Sequence, residues 1–164
     1  MKMINAKLGN LEGLEILELG GGGNNLRLLA MHQYGNANVT AVDFSYVSLK
    51  ELRALFAAHS RRIAIHEADI FDWKSPKKFD VVVHWGLMEY FEDPTATLEL
   101  TLKHLKTDGV ALFTMPNMHT WATRLWKQCS PNNFSKHILH TDENIQKSSD
   151  QLNCDLRSAF YFGY

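Results

Sequence analysis

The twelve residues Leu14-Glu15-Ile16-Leu17-Glu18-Leu19-Gly20-Gly21-Gly22-Gly23-Asn24-Asn25 join a short apolar run directly to a glycine cluster, and a helical pattern begins at once behind it. Glycines at such a junction permit positive φ and let the backbone approach a ligand, while the N-terminus of the following helix offers free N–H groups. Behind the turn, Leu26, Leu29 and Ala30 share one helical face, and Gly35 closes the helix. The stretch therefore reads as strand, ligand-accepting turn and helix, the opening unit of a parallel α/β sheet.

The same unit repeats downstream. Residues 39–43 and 63–66 form further apolar runs, 79–85 contains three consecutive valines, and 110–115 makes a fifth run. Unbroken apolar runs, rather than alternation, indicate strands covered on both faces. Ser45 caps a helix carrying Leu49, Leu52 and Phe56, and Asp93-Pro94 starts one carrying Leu98, Leu102 and Leu105, ended by Thr107-Asp108-Gly109. Beyond Asn117 the pattern predicts a short helix over 120–127, a polar loop at Pro131-Asn132-Asn133, a last helix from Thr141 to Leu152, and an aromatic strand over 156–162. The expected fold is a doubly wound, mostly parallel Rossmann-like sheet flanked by helices. It forms one domain over residues 1–164, with its ligand core in 14–117 and a variable part in 118–164.

Composition narrows the function. The chain has 164 residues, 17 Lys and Arg against 18 Asp and Glu, and a net charge of −1, so it lacks the basic excess of a nucleic-acid binder. No apolar run approaches the ~20 residues of a membrane span, and the first residues lack the layout of a secretory signal. With Cys129 and Cys154 as the only cysteines, reduced thiols and a cytoplasmic location are expected. His137 and His140 stand three apart without a third ligand, so no metal is predicted.

Two acids frame the glycine turn. Asp43, about twenty residues on, ends the second strand in position to accept ribose hydroxyls. Glu18 precedes the first glycine by two, where a dinucleotide fold is normally apolar; burying an acid there is costly unless a cation or donor meets it. A nicotinamide fingerprint fits only partly, because Asn25 occupies the place of its third glycine.

With these residues the chain resembles the class I S-adenosylmethionine-dependent methyltransferases of the small-molecule type. Their first motif, acid-x-Gly-x-Gly-x-Gly, reads Glu18-Leu19-Gly20-Gly21-Gly22-Gly23-Asn24 here, with Asn24 in place of the last glycine. Ala41-Val42-Asp43-Phe44-Ser45, Glu67-Ala68-Asp69-Ile70 and the stretch 79–90 resemble the second to fourth motifs. Residues 105–110 with 115–117 resemble the fifth-strand region, and residues 137–145 the segment before the last helix of many small-molecule members. The resemblance implies S-adenosylmethionine as cofactor, S-adenosylhomocysteine as product, and a small-molecule acceptor. It also implies a cofactor site of Glu18, Gly20, Gly21, Gly22, Asn24, Asp43, Phe44, Asp69, Ile70, His84, Trp85 and Gly86, with Asp43 on the ribose, Phe44 against the adenine and Asp69 at the adenine amino group. His84 and His137 are the candidate catalytic bases.

After the fourth strand, amino-methylating enzymes of nucleic acids in this superfamily carry an Asn- or Asp-Pro-Pro-aromatic run. This chain has His84-Trp85-Gly86-Leu87 there, which argues against a base-amine substrate. Against the family pattern the chain is short at both ends, so two other readings stand: a non-catalytic methyltransferase-like binding module and a nicotinamide-dependent oxidoreductase. An unpaired last strand also suggests a homo-oligomer formed through the C-terminal sheet edge.

Overall fold

The computed structural model describes residues 9–23, 25–117 and 120–156. Five strands, β1 (Glu15–Leu19), β2 (Asn38–Asp43), β3 (Ala64–Glu67), β4 (Phe79–Trp85) and β5 (Leu105–Thr114), form one sheet in the order β3-β2-β1-β4-β5. The β1–β2, β1–β4 and β2–β3 pairs are parallel. Register is the functional point: Glu18 lies opposite Ala41 and Asp43 opposite Glu67, so successive strands deliver their acids to one carboxyl edge.

Helices α1 (Leu26–Gly35) and α2 (Tyr46–Ala58) follow β1 and β2. Each starts on its own cap: Asn25 accepts the Leu28 N–H at 3.0 Å and Ser45 the Ser48 N–H at 3.3 Å. Leu28, Leu29 and Met31 of α1, with Leu52 and Phe56 of α2, pack on Ile16, Val39, Ala41, Val81 and Val83 in a single apolar cluster. Each of these side chains larger than alanine contributes about 1.5–3 kcal/mol by leaving water. Leu26, expected on the buried face, is 59% exposed; the cap at Asn25 rotates Leu28, Leu29 and Met31 onto the sheet instead.

The chain divides into two compact units, Met1–Trp85 with Thr101–Phe113, and Gly86–Leu100 with Thr114–Tyr164. The first holds nearly the whole sheet. The second contains a 3₁₀ turn (Met88–Tyr90), the start of α3 (Pro94–His104), α4 (Trp121–Cys129), α5 (Pro131–Phe134) and α6 (Asp142–Gln151). Thr141 caps α6 as expected, accepting the Asn144 N–H at 3.2 Å. Within this unit Thr95 Oγ1 lies 2.9 Å from Ser148 Oγ, and Ile138 N–H donates to Glu89 O at 2.7 Å.

Two expectations are corrected. The fifth strand starts at Leu105, not 110, so Leu105 leaves the helix and Thr107-Asp108-Gly109 lies inside the strand. Pairing with β4 outweighs the local turn signal: Lys106 Nζ donates to Asp80 Oδ1 at 2.8 Å, and a side chain at Gly109 would stand 3.2 Å from the Asp80 carbonyl. The polar loop at Pro131 is instead the four-residue helix α5, with proline in its first turn and Phe134 edge-on to Trp126 at 5.6 Å. Of the expected strand over 156–162, Leu156 lies outside any strand, and 157–162 lie outside the described residues. Among the described residues no helix is long and apolar enough to cross a membrane.

Candidate functional site

At the end of β1 the backbone turns through Gly20, at φ +68°, a conformation an L side chain resists. The Gly20 and Gly21 N–H groups both donate to the Val42 carbonyl, at 2.9 and 3.2 Å, stapling the turn to β2. Gly22 N–H then donates to Asp43 Oδ2 at 3.0 Å, while Asp43 Oδ1 accepts the Ser45 N–H at 2.8 Å. Each carboxylate oxygen keeps a second lone pair, so Asp43 can still accept two hydroxyls. The cradle is tight: a Cβ at Gly22 would fall 2.3 Å from Ser48 Cβ and 2.9 Å from Asp43 Oδ2, and one at Gly21 would meet Glu18 and Ala41 at 3.1 Å.

Glu18 is 2% exposed. Its Oε1 accepts the Asn25 side-chain N–H at 2.5 Å, and its Oε2 has no partner among the described residues. Burial pushes its pKa up to about 8, and the charge of Asp43 pushes the same way; the Asn25 hydrogen bond and the Arg27 charge oppose this less strongly. At neutral pH the free protein holds Glu18 mostly protonated. Asn25 thus caps α1 with one side-chain atom and grips Glu18 with another, a function that its place seven residues after the acid allowed but did not announce.

The remaining sequence candidates spread along the same edge. Phe44 is 80% exposed beside Asp43. Asp69 is exposed, its Oδ1 accepting the Phe71 N–H at 2.9 Å, and Ile70 is buried. Trp85 ends β4 with its face 4.7 Å from the Arg27 guanidinium and with a buried, unpartnered indole N–H. Gly86 follows at φ +67°. Asn24 lies outside the described residues.

His84 is fully buried, stacked on Phe113 at 5.2 Å, with neither ring nitrogen partnered. Burial depresses its pKa to about 4, so it is neutral at pH 7. Between pH 6.5 and 4 the unfolded chain takes up this proton and the folded one does not, so stability present above pH 6.5 is lost as pH falls. The loss amounts to about 3 kcal/mol. His84→Phe, which keeps the stack, should flatten that decline in urea midpoints measured across pH 4–7. An unchanged decline would show that other groups govern acid unfolding.

In the second unit His137 Nδ1 lies 2.9 Å from the Asn133 carbonyl, which sets Nδ1 as the protonated nitrogen and Nε2 as the basic one. Its ring packs between Tyr90, at 4.8 Å, and Trp126, at 4.6 Å. His140, at 2.9 Å from the Phe91 carbonyl, fixes its own loop. Glu89 is 3% exposed with Oε2 unpartnered, and burial raises its pKa. Among the described residues no cluster of three His, Cys, Asp or Glu side chains is placed to hold a metal ion.

A parallel sheet in this order, with a glycine turn closing its central strand and acids closing β2 and β3, defines the doubly wound α/β proteins that bind nucleotide-like ligands at the carboxyl edge. Within that class, the chain belongs to the methyltransferase domain family, whose model matches residues 4–159. It is 32% identical over 116 residues to a chloroplastic 2-methyl-6-phytyl-1,4-hydroquinone methyltransferase of Oryza sativa subsp. japonica, covering 70% of this chain and 34% of that protein. It is 27% identical over 149 residues to a ubiquinone biosynthesis O-methyltransferase of Rickettsia canadensis, covering 84% of this chain and 62% of the other. The chain therefore spans from about a third to under two thirds of these relatives. Among solved structures, a mycolic acid cyclopropane synthase complexed with S-adenosylhomocysteine superposes with a TM-score of 0.70 at 20% identity, over 92% of this chain and 57% of that one. A magnesium protoporphyrin IX methyltransferase from Synechocystis with bound S-adenosylmethionine gives 0.65 at 17%, over 92% and 63%. These two establish the shared fold.

Proposed function

We propose that this chain binds S-adenosylmethionine along the carboxyl edge of its sheet and transfers the methyl group to a small-molecule acceptor. The observation that carries the reading is Glu18, a buried acid with one oxygen unpartnered beside a glycine cradle. A ligand bearing an ammonium satisfies that oxygen and its charge; a nicotinamide dinucleotide brings no such group. Names of relatives support the acceptor class, since both curated relatives described above act in small-molecule methylation. The family match, running across both compact units, supports reading 1–164 as one methyltransferase-like domain with its cofactor core in 14–117.

When bound, S-adenosylmethionine supplies a methyl group already activated on a positively charged sulfur. The chain's own residues bind, orient and exclude water. Gly20, Gly21, Gly22 and, by resemblance, Asn24 let the backbone close on the ligand. Asp43, held rigid by two backbone N–H groups, accepts ribose hydroxyls. Phe44 offers an exposed apolar face for a base, and Asp69 an acceptor for its amino group. By the same resemblance, Ile70, His84, Trp85 and Gly86 complete the cofactor site. An acceptor that must lose a proton needs a base, for which the sequence offers His84 and His137.

Titration calorimetry with S-adenosylhomocysteine and with NAD is the direct test. Saturable binding of the first and none of the second is expected; the reverse result overturns the reading. The same titration yields a second prediction. Because burial keeps Glu18 protonated up to about pH 8 and an ammonium ligand favours its ionised form, binding at pH 7 should release close to one proton. Affinity should rise up to tenfold per unit as pH increases toward 8 and level off above it. Repeating the titration in buffers of differing ionisation enthalpy measures the proton count, and zero release would show that Glu18 meets no cation. Self-association through the aromatic segment Phe160, Tyr161, Phe162 and Tyr164, and a cytoplasmic location, remain parts of this proposal that light scattering and cell fractionation address.

A further inference from the structure

Between Asp108 and Asp142 the chain has no acid, and this segment holds three cations, Arg124, Lys127 and Lys136, although the whole protein carries a net charge of −1. Charge of one sign is therefore gathered here rather than mixed. All three cations are exposed, and none joins the two ion pairs found among the described residues, Lys77 with Glu15 and Lys106 with Asp80. Helix α4 occupies the middle of the segment, and its two faces differ. Thr123 and Trp126 are half-buried, with the Trp126 ring edge-on to Phe134 at 5.6 Å and to His137 at 4.6 Å. Trp121, Arg124, Leu125 and Gln128, spaced i, i+3, i+4 and i+7, form the opposite face, and all four are exposed. Trp121 is 74% exposed and Leu125 49%.

A short helix that turns tryptophan and leucine outward among basic side chains has the composition of one that lies in the plane of a bilayer surface. The indole rests among the headgroups, the leucine reaches the acyl boundary, and the cations meet lipid phosphates. We propose that the outer face of α4 docks this protein on a bilayer bearing anionic phospholipid, lying on the surface rather than crossing it. Other occupants fit the face less well. Two apolar side chains cover far less than the roughly 800 Å² per partner that a stable protein interface buries. A second copy, paired through the same patch on both molecules, would set these cations against one another. A lipid surface needs only shallow insertion and supplies the missing negative charge. The proposal is independent of the cofactor reading, because Trp121, Arg124, Leu125, Lys127 and Lys136 all lie outside that site.

Sucrose-loaded vesicles of phosphatidylcholine and phosphatidylglycerol in about a three-to-one ratio, and vesicles of phosphatidylcholine alone, supply the test. The full chain should pellet with the mixed vesicles about tenfold more tightly than with phosphatidylcholine, and should come off as salt is raised. Brominated acyl chains should quench its fluorescence. Trp121→Phe should remove most of that quenching, since Trp73, Trp85 and Trp126 are each buried or half-buried. Trp121→Ala with Leu125→Ala, and separately Arg124→Gln with Lys136→Gln, should each weaken the partition about tenfold. Tyr34→Ala, which removes an aromatic 76% exposed on α1, should leave it unchanged. Thermal melts matching the wild type show that the variants are folded, and the quenching experiment tests the idea through a single conservative change. Wild-type protein that ignores the mixed vesicles, or paired variants that pellet as it does, overturns the proposal. So does wild-type protein that binds soluble polyglutamate as tightly as vesicles without bromolipid quenching, which marks the face as a site for an acidic polypeptide. Self-association lost in the paired variants, with no vesicle binding by the wild type, overturns it in favour of a second copy.

Discussion

Asp43→Ala is expected to weaken S-adenosylhomocysteine binding by about a hundredfold or more, close to 2.7 kcal/mol. Two effects combine. The ligand loses its hydroxyl contacts to a charged acceptor, each worth about 1.5–3 kcal/mol when desolvated. The protein also loses the two backbone hydrogen bonds by which this carboxylate holds Gly22 and Ser45 in place, so the cradle is no longer pre-formed. Asp43→Asn, which retains one acceptor oxygen, should fall between wild type and alanine. Calorimetry on the three proteins decides the matter, and an unchanged dissociation constant in the alanine variant would remove the ribose assignment.

A comparably large effect is expected from the smallest possible change at Gly22. The added methyl of Gly22→Ala would lie 2.3 Å from Ser48 Cβ, far inside contact distance, and 2.9 Å from Asp43 Oδ2. Since Ser48 lies in α2, either that helix or the turn must move. Overpacking of this kind costs about 1–3 kcal/mol, and the displaced turn would no longer present Asp43. The variant should melt several degrees lower and show no measurable nucleoside binding. Gly22→Ala with Ser48→Gly should recover stability if the clash is the cause. At Gly20 the obstacle is different: φ of +68° penalises any L side chain by about 1–2 kcal/mol regardless of space.

The parallel sheet was legible because its signals are local and redundant. Apolar runs at 14–19, 39–43 and 79–85 are each followed by a cap or glycine, and all became strands within a residue or so of the expected bounds. The errors arose where distant contacts decide. Leu98, Leu102 and Leu105 have perfect helical spacing, yet the lysine after Leu105 reaches Asp80 on a strand some twenty-five residues earlier. Leu26 shares helical spacing with the core of α1 but faces solvent, because the cap at Asn25 is anchored to Glu18. The same distinction applies to the site. Glu18 and Asp43 were visible as acids at strand ends, whereas Arg27 above Trp85 is a contact across fifty-eight positions that no periodicity encodes.

The passage from His104 directly into Leu105 has a genetic consequence. With no connecting residue between α3 and β5, there is no slack to absorb a change in chain length. One inserted codon there would turn the helix by about 100° relative to the strand, or reverse which faces of the strand meet the layers around it. Residues 74–78, which follow the buried Trp73 and precede β4, impose no such constraint. Insertions and deletions tolerated in a random-codon library should therefore collect between residues 74 and 78 and be absent across the 104–105 junction.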